Sequence, residues 1–261
     1  MKDKVIVITG ASTGIGEKLA EVAVARGAKV VLAARRQPEL TAVASRLGAN
    51  VRAVVTDVTQ RADNERLRDQ ALAAFGQIDG WVANAGRGIS RPVSQLTDAD
   101  IDDMIAMNVK SVIYGMQAVL PHFRERKRGH LIAVSSMLGK IPMAPFRSAY
   151  SAAKAAVNSL MASLRIELKQ ELPEVHVSTV LPGVVATEFG NNALHGGIDS
   201  RKIPGAQSVD EVATLMADLI EHPRAELYTR PEMRDFAGRY AGAEDVAALE
   251  SGPPFMLPAK R

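Results

Sequence analysis

Short apolar runs rich in β-branched residues alternate along this chain with longer stretches of helical periodicity. The predicted strands are 4–9, 29–34, 51–55, 79–84, 130–135, 176–181 and a short run at 226–229. The predicted helices lie near 14–26, 38–47, 60–75, 97–126, 149–171 and 209–221. Strands that are apolar almost throughout are typical of a parallel sheet covered on both faces, and a repeated strand–helix order gives right-handed crossovers. The sequence therefore predicts an α/β fold with a doubly wound, seven-stranded parallel sheet and helices on both faces.

No linker divides the chain, so we expect a single domain over residues 1–250. The irregular, glycine-rich stretch 188–208 is interpreted as a substrate loop or lid, with Gly196 and Gly197 as hinges. Residues 251–261 contain three prolines and are predicted to form an irregular C-terminal tail.

Composition argues against several classes of function. Without cysteine the chain can form neither disulfides nor thiolate metal sites, and its five histidines show no ligand spacing, so no metal site is expected. Aromatic residues make up 4% and no stacking motif occurs, so we expect no nucleic-acid binding despite a net charge of +3. No run approaches the ~18 apolar residues of a membrane span, and the N-terminal apolar run is too short for a signal peptide. We therefore expect a cytoplasmic protein, not bound to membranes, that acts on a small molecule.

The first strand runs directly into a glycine-rich turn, "TGASTGIG" at residues 9–16, and then into a helix. Ligands of doubly wound sheets bind at the carboxyl ends of the strands, where the amides of a helix N-terminus face pyrophosphate. We interpret Gly10 as the residue that makes the turn, Gly14 as the one that admits the phosphate, and Gly16 as the one that lets the helix pack on the sheet. This context predicts a Rossmann-type dinucleotide site. The other turn residues predicted to contact the cofactor are Ser12, Thr13 and Ile15.

The end of the second strand indicates which dinucleotide binds. A fold that selects NAD usually places an acidic residue here, whereas this chain has Ala34 followed by Arg35 and Arg36. A guanidinium matches phosphate geometry and stays charged, which favours NADP(H) over NAD(H), with Arg35 at the 2′-phosphate. The alternative is that both arginines are solvated and simply open a helix. After the third strand, Asp57 and Val58 are predicted cofactor contacts near the adenine, although Asp57 could equally be a helix N-cap.

The stretch "AYSAAKAAV" at 149–157 places Tyr150 and Lys154 on one helical face, since residues four apart are neighbours there. A free phenol titrates near ~10, and bringing its pKa near 7 takes about 4 kcal/mol. One cation about 4 Å away, at an effective dielectric of about 20, supplies that much. Lys154 alone is therefore predicted to activate Tyr150. The preceding strand ends in Ser135 and Ser136, whose hydroxyls can hold the same carbonyl oxygen as the tyrosine.

Six motifs in register carry a family resemblance. They are "TGASTGIG", "NAG" at 84–86, "MNV" around Asn108, "SSM" at 135–137, "YSAAK" at 150–154 and "PGVVAT" at 182–187. Over residues 4–230 the chain resembles the short-chain dehydrogenases/reductases, in their short single-domain branch. The resemblance also matches Ala34 and Arg35 to the family's cofactor-selecting positions, which supports NADP.

The resemblance implies a role for four residues. Tyr150 would be the general acid/base, and Lys154 would lower its pKa and hydrogen-bond the nicotinamide ribose. Ser136 would orient the substrate oxygen, and Asn108 would hold a water that links the lysine to solvent. The further cofactor contacts implied are Asn84, Ala85, Gly86, Pro182, Gly183, Val185 and Thr187.

The serine position departs from the family pattern. Most relatives carry the catalytic serine thirteen residues before the tyrosine, where this chain has Met137. Ser136 is preferred because Gly139, three residues later, keeps its usual offset, and Ser135 remains an alternative.

The leading prediction is an NADP(H)-dependent oxidoreductase that transfers hydride reversibly between NADPH and a ketone, aldehyde or secondary alcohol. The alternatives are a non-catalytic dinucleotide-binding or scaffold protein and an NAD-preferring dehydrogenase. The candidate pocket residues are Arg87, Met137, Leu138, Met143, Phe146 and Phe189. They predict an apolar substrate. Arg87, Arg91 and Arg147 could recruit a carboxylate, but solvated loop charges are the favoured interpretation of all three. The resemblance also implies a homotetramer or homodimer, formed through the helices that begin near 97 and 149.

Overall fold

The seven predicted strands form and pair in parallel within one sheet. The computed structural model describes residues 1–255. The strands are β1 (Val5–Thr9), β2 (Lys29–Ala34), β3 (Val51–Val55), β4 (Gly80–Ala83), β5 (Gly129–Val134), β6 (Val175–Leu181) and β7 (Glu226–Tyr228). Their spatial order is β3-β2-β1-β4-β5-β6-β7. The predicted Rossmann-type, doubly wound sheet is confirmed.

Helices cover both faces of this sheet. They are α1 (Gly14–Ala25), α2 (Gln37–Leu47), α3 (Arg61–Phe75), α4 (Asp98–Ile105), α5 (Ser111–Arg126), α6 (Ser148–Leu168), α7 (Val209–Glu221), α8 (Pro231–Ala241) and α9 (Val246–Glu250). The predicted helix over 97–126 forms without a gap from Asp98 to Arg126, but it is not α-helical throughout, because a π-helical turn at Ala106–Lys110 joins α4 to α5. Helices α8 and α9 were not predicted from the sequence.

Alternate residues of the central strands enter two separate apolar clusters, one on each face. Ile6 and Ile8 of β1 pack with residues of α1, α2 and α7. Val7, between them, packs with residues of α3, α5 and α6. All three β1 side chains have no exposed surface. Because successive side chains of a strand point to opposite faces, a strand buried on both sides is apolar throughout, as the sequence of β1 is.

The strand order reverses between β1 and β4. From β1 the chain builds β2 and β3 toward one edge, and then returns to place β4 on the other side of β1. Ligands of such sheets bind in the crevice outside the carboxyl ends of the strands at this switch point. The glycine-rich turn after β1 and the "NAG" motif after β4 therefore meet at one crevice.

The first part of the predicted tail packs on α8. Residues 251–255 form turns, and the Phe255 ring centroid lies 5.7 Å from that of Tyr240 and 6.2 Å from that of Phe236. The rest of the predicted tail, 256–261, lies outside the described residues.

Candidate active site

A cleft of about 1360 Å³ opens over the crevice between β1 and β4. It runs from the glycine-rich turn to Tyr150 and Lys154 on α6, and part of the 188–208 segment borders it. A smaller cavity of about 620 Å³, lined by Pro92 and Ala152 among others, contains none of the predicted catalytic or cofactor-binding residues. The larger cleft is therefore the candidate active site.

Most of the predicted site residues line this cleft. They are Gly10, Ser12, Thr13, Gly14, Ile15, Arg35, Val58, Asn84, Ala85, Gly86, Ser136, Tyr150, Lys154, Pro182, Gly183, Val185 and Thr187. Gly16, Asp57 and Asn108 are not among the lining residues. Gly16 and Asn108 support the wall from behind, next to Asn84 and Gly86.

The glycine-rich turn is packed too closely to accept side chains at two positions. Gly10 has a φ of +65°, and a Cβ there would lie 2.8 Å from Ala85 Cα. A Cβ on Gly16 would lie 2.5 Å from the Gly10 carbonyl oxygen. Asn84 holds the turn from the other side, since its Nδ2 donates to the carbonyl oxygen of Thr9 at 2.9 Å. The turn therefore has the tight geometry that a phosphate-binding loop requires.

The N-terminus of α1 offers free donors to the cleft. Its N-cap, Thr13, makes no side-chain capping bond. The first-turn amides of a helix have no partner within the helix, and together with the helix dipole they favour an anion. This end of the cleft fits the pyrophosphate of a dinucleotide.

Two arginines with different surroundings lie at the end of β2. Arg36 Nη2 lies 3.4 Å from each of the hydroxyl oxygens of Ser12 and Thr13, and its Nη1 lies 3.2 Å from a carboxylate oxygen of Glu39. Arg35 is exposed and lines the same cleft. The sequence assigned the 2′-phosphate to Arg35, whereas in the structure both arginines line the cleft and Arg36, the N-cap of α2, lies beside the glycine-rich turn.

Asp57 is held in a local turn. Its Oδ1 accepts hydrogen bonds from the amide of Thr59 at 3.0 Å and from the Thr59 hydroxyl at 2.7 Å. The N-cap of α3 is Gln60. The N-cap alternative for Asp57 is therefore wrong, and its carboxylate stabilises the turn between β3 and α3.

Tyr150 is buried and its phenol is protonated at neutral pH. Burial raises its pKa to about 12, although the Ser136 side chain and the Arg147 guanidinium favour the phenolate. Lys154 Nζ lies 5.6 Å from the centroid of the tyrosine ring. The expectation that Lys154 alone brings this pKa near 7 is therefore wrong, because desolvation outweighs the two groups that lower the pKa, Ser136 and Arg147.

Lys154 is itself buried, at 3% exposure. Burial lowers its pKa to about 8. Its Nζ donates to the carbonyl oxygen of Val134, at the end of β5, over 2.8 Å. An ammonium has three N–H donors, so this bond leaves two for a ligand in the cleft.

Asn108 lies in the middle of the π-helical turn and has no exposed surface. Its Nδ2 donates to the carbonyl oxygens of Arg87 at 3.0 Å and Met104 at 3.2 Å, and its Oδ1 accepts from the Arg87 amide at 3.2 Å. A Cβ on Gly86 would lie 3.0 Å from Asn108 Oδ1 and 3.5 Å from Lys154 Nζ. The π-helical turn thus places Asn108 against the segment after β4, on the side of Gly86 opposite to Lys154.

The three residues of the "SSM" motif have different surroundings. Ser135 donates from Oγ to the carbonyl oxygen of Lys154 at 3.1 Å and is 3% exposed. Ser136 accepts from the amide of Leu138 at 3.1 Å and is close enough to Tyr150 to affect its pKa. Met137 packs in an apolar cluster with Ile141. Ser136 is therefore the serine with a hydroxyl beside Tyr150.

The cleft near Tyr150 is mainly apolar. All six predicted pocket residues line it: the apolar Met137, Leu138, Met143, Phe146 and Phe189, and Arg87. The ring centroids of Tyr150 and Phe189 are 5.6 Å apart. Met233 of α8 lines it too and was missed with that helix. The available signals were a proline at the first helical position and apolar residues at 233, 236, 237 and 240.

Backbone hydrogen bonds attach the predicted lid, 188–208, to the body at two points. The Ser90 amide donates to the Leu194 carbonyl oxygen at 2.9 Å, and the Gln207 amide donates to the Val184 carbonyl oxygen at 2.8 Å. Ile198, between these points, is 62% exposed and lines the cleft. The segment is thus placed to cover the substrate end.

Within residues 1–255 no helix is both long and apolar enough to cross a bilayer. Over the same described residues, no group of three or more His, Asp or Glu side chains is placed to hold a metal ion.

Comparisons with known proteins agree with this geometry. A family model described as short chain dehydrogenase matches residues 4–196. An uncharacterized oxidoreductase of Listeria monocytogenes is 37% identical over 85% of this chain and 92% of its own length. A short-chain dehydrogenase/reductase from Burkholderia phymatum, solved with NAD, superposes with a TM-score of 0.86 at 26% identity over 100% of this chain and 99% of that one. A serine dehydrogenase solved with NADP+ superposes with a TM-score of 0.80 at 29% identity over 86% of this chain and 93% of that one.

Proposed function

The chain belongs to the short-chain dehydrogenase family of oxidoreductases, and we propose that it transfers hydride reversibly between NADP(H) and a ketone, aldehyde or secondary alcohol. One observation carries the proposal. Tyr150, Lys154 and Ser136 lie together at one end of a cleft whose other end is the uncapped N-terminus of α1. A dinucleotide bound along the cleft places its phosphates at one end and its reactive ring near the other.

Tyr150 is the residue that transfers the proton. With a pKa of about 12 the phenol carries its proton at neutral pH and can donate it to a carbonyl oxygen during reduction. The Ser136 hydroxyl beside it holds the same oxygen. Lys154 uses its two remaining N–H donors on the cofactor ribose. When bound, the nicotinamide supplies or accepts the hydride.

Asn108 acts from behind the wall. Asn108 hydrogen-bonds both the amide and the carbonyl of Arg87 and so fixes the segment after β4. Gly86, in this segment, lies between Asn108 and Lys154. We propose that the π-helical turn at Ala106–Lys110 also holds the water that links Lys154 to solvent.

The two arginines and Ala34 support a preference for NADP(H). Ala34 leaves no carboxylate at the end of β2 to accept a ribose 2′-hydroxyl, and Arg35 and Arg36 supply positive charge there. The solved relatives named above include one with NAD and one with NADP+, so the family alone does not decide between them.

Cofactor preference can be measured through the fluorescence of the reduced cofactors. We expect NADPH to bind at least about tenfold tighter than NADH, as one charge-assisted phosphate contact provides. Arg35→Gln and Arg36→Gln should each weaken NADPH binding while leaving NADH binding unchanged. Arg128→Gln is the control, because Arg128 is an exposed arginine that is not among the cleft residues. Equal affinity for both cofactors would exclude the preference, and tighter binding of NADH would favour the alternative of an NAD-preferring dehydrogenase.

Hydride transfer can be tested with NADPH deuterated at C4 of the nicotinamide. We expect deuterium on the carbinol carbon of the alcohol formed from a panel of ketones and aldehydes, read by mass spectrometry. Cofactor binding without transfer across the panel would favour the alternative of a non-catalytic dinucleotide-binding protein.

Exposed apolar residues support assembly through the helices that the sequence indicated. Ile101 and Ile105 on α4 are 45% and 37% exposed, and Ile166 on α6 is 74% exposed. We propose a homodimer or homotetramer, acting in the cytoplasm in keeping with the cysteine-free composition. Light scattering should report a mass of two or four chains, reduced by Ile166→Lys.

A further inference from the structure

Arg147 is a half-buried cation at the substrate end of the cleft. It is the N-cap residue of α6, one helical turn before Tyr150, and it lines the cleft. Its charge reaches Tyr150, whose phenolate it favours. The proposed proton and hydride chemistry does not require it.

The surroundings of Arg147 leave room for its guanidinium. A Cβ on Gly88 would lie 2.8 Å from Nη1, and a Cβ on Gly197 would lie 3.3 Å from Nη2. Nη1 donates to the carbonyl oxygen of Ile89 at 3.2 Å, and the guanidinium carbon lies 5.4 Å from the Phe146 ring centroid. These contacts hold the fork in place beside the apolar wall.

Arg147 differs from other arginines of this region in its ion pairing. Arg87 pairs with Asp103 at 3.2 Å, Arg91 with Asp100 at 2.7 Å, and Arg201 with Asp199 at 2.8 Å. Within the described part of the chain, residues 1–255, Arg147 forms no salt bridge, and its one side-chain hydrogen bond goes to a neutral carbonyl.

A partly desolvated cation without a counter-ion is costly, and an anion brought by the ligand removes that cost. The cofactor phosphates do not fit this role, since their predicted site is at the glycine-rich turn, whereas Arg147 contacts the segment after β4 and the 188–208 segment. A planar guanidinium matches a carboxylate in a two-bond arrangement.

We propose that Arg147 binds a carboxylate of the substrate, so that the substrate class is a short oxo acid or hydroxy acid. This rests on the proposed function, whose carbonyl site is Tyr150. Because the Arg147 guanidinium is close enough to Tyr150 for its charge to act on the phenol, one short substrate can reach both with its carboxylate and its carbonyl group. The apolar residues Leu138, Met143 and Phe189 then contact the carbon skeleton.

The test compares acids with their methyl esters, which have the same reacting carbonyl. The substrates are 3-oxobutanoate and 4-oxopentanoate, each beside its methyl ester, with NADPH. We expect the wild type to reduce one of the acids with a kcat/KM roughly 10- to 100-fold above that of its ester, the range for a hydrogen bond to a charged group. Arg147→Met should remove this preference by lowering activity on the acid alone, and Arg147→Lys should keep part of it. Arg201→Gln, which changes a paired cleft arginine, should keep the full ratio.

A second measurement does not depend on turnover. Butanoate and butanamide have similar size and shape but differ in charge, and calorimetry on the NADP+-loaded protein should show butanoate binding preferentially to the wild type and not to Arg147→Met. Thermal unfolding of each variant shows whether it remains folded.

The outcomes separate the two proposals. If acids and esters react equally well, or if butanoate binds no better than butanamide, the carboxylate proposal is wrong and hydride transfer stands. If Arg147→Met lowers activity on acid and ester alike, Arg147 acts on the reaction at Tyr150 and not on the carboxylate, which also overturns it. If no carbonyl is reduced yet butanoate binds through Arg147, the proposed reaction fails while the anion site is supported.

Discussion

Nε2 of His195 lies 2.6 Å from Oδ1 of Asp100, which joins the middle of the 188–208 segment to the first turn of α4. Asp100 is 4% exposed and also accepts hydrogen bonds from Arg91 Nη1 at 2.7 Å and from the Thr97 amide at 3.0 Å. The His195 and Thr97 bonds hold the pKa of Asp100 well below its usual range. Asp100 thus remains a carboxylate that fixes the segment over the cleft.

Asp100→Asn should loosen this segment. An amide has one acceptor oxygen where a carboxylate has two, so the variant could not keep all of these hydrogen bonds. We therefore expect the backbone amides of 190–197 to exchange with deuterium about tenfold faster, as for the loss of one charge-assisted hydrogen bond. KM should rise more than kcat falls. Asp102→Asn, an exposed change on the same helix, is the control. Unchanged exchange in Asp100→Asn would show that the backbone bridge at Leu194 holds the segment by itself.

The lowered pKa of the buried Lys154 should make the stability of the protein depend on pH. Burial lowers its pKa from 10.5 to about 8, so between these values the unfolded chain binds a proton that the folded protein does not. The contribution of Lys154 to the free energy of unfolding therefore rises by about 3 kcal/mol from pH 8 to 10.5, at 1.36 kcal/mol per pKa unit. The wild type should gain this free energy of unfolding relative to Lys154→Met, which lacks the titrating group.

Urea unfolding at pH 7, 8, 9 and 10 measures this difference, with the fluorescence of the buried Trp81 as the probe. Lys169→Met, at the exposed end of α6, should show no comparable trend. A wild type that loses stability relative to Lys154→Met over this range would contradict the lowered pKa.

The strand pattern was sufficient to predict the sheet, since strands buried on both faces must be apolar throughout, and β1 shows this with Ile6, Val7 and Ile8. The glycine turn and the Tyr150–Lys154 pair were likewise readable, because each depends on local geometry. The π-helical turn around Asn108 could not be predicted from the sequence, because residues 97–126 keep their helical periodicity through it.

Properties that depend on tertiary surroundings were the least predictable. The pKa of Tyr150 was placed near 7 from one neighbouring charge, whereas burial sets it at about 12. Arg147 resembled a solvated loop charge in the sequence, and only the fold shows that Asp100 and Asp103 pair with other arginines.

Even a methyl side chain at position 16 is expected to destabilise the protein. A Cβ added to Gly16 would lie 2.5 Å from the Gly10 carbonyl oxygen and 2.6 Å from Asn84 Nδ2, both in the tight turn. We expect Gly16→Ala to lower the free energy of unfolding by about 1–3 kcal/mol, as overpacking does, and to weaken NADPH binding. Gly238→Ala, in a helix with open space around the new methyl group, should instead be stabilising by up to about 1 kcal/mol. Equal effects of the two changes would show that the turn relaxes around the methyl group.

Tyr150→Phe should abolish the proton transfer while leaving the cofactor site intact. Loss of a general acid lowers kcat by roughly 10²- to 10⁴-fold, and NADPH affinity should stay within about threefold. Because the pKa of Tyr150 is about 12, its phenol keeps its proton from pH 6 to 9, so the decline of wild-type carbonyl reduction in this range should follow Lys154, centred near pH 8. Tyr114→Phe, whose ring lies 4.4 Å from the guanidinium of Arg61 away from the cleft, is the control for losing a phenol. A reduction profile that falls instead around pH 6, or a Tyr150→Phe enzyme with full activity, would show that another group donates the proton.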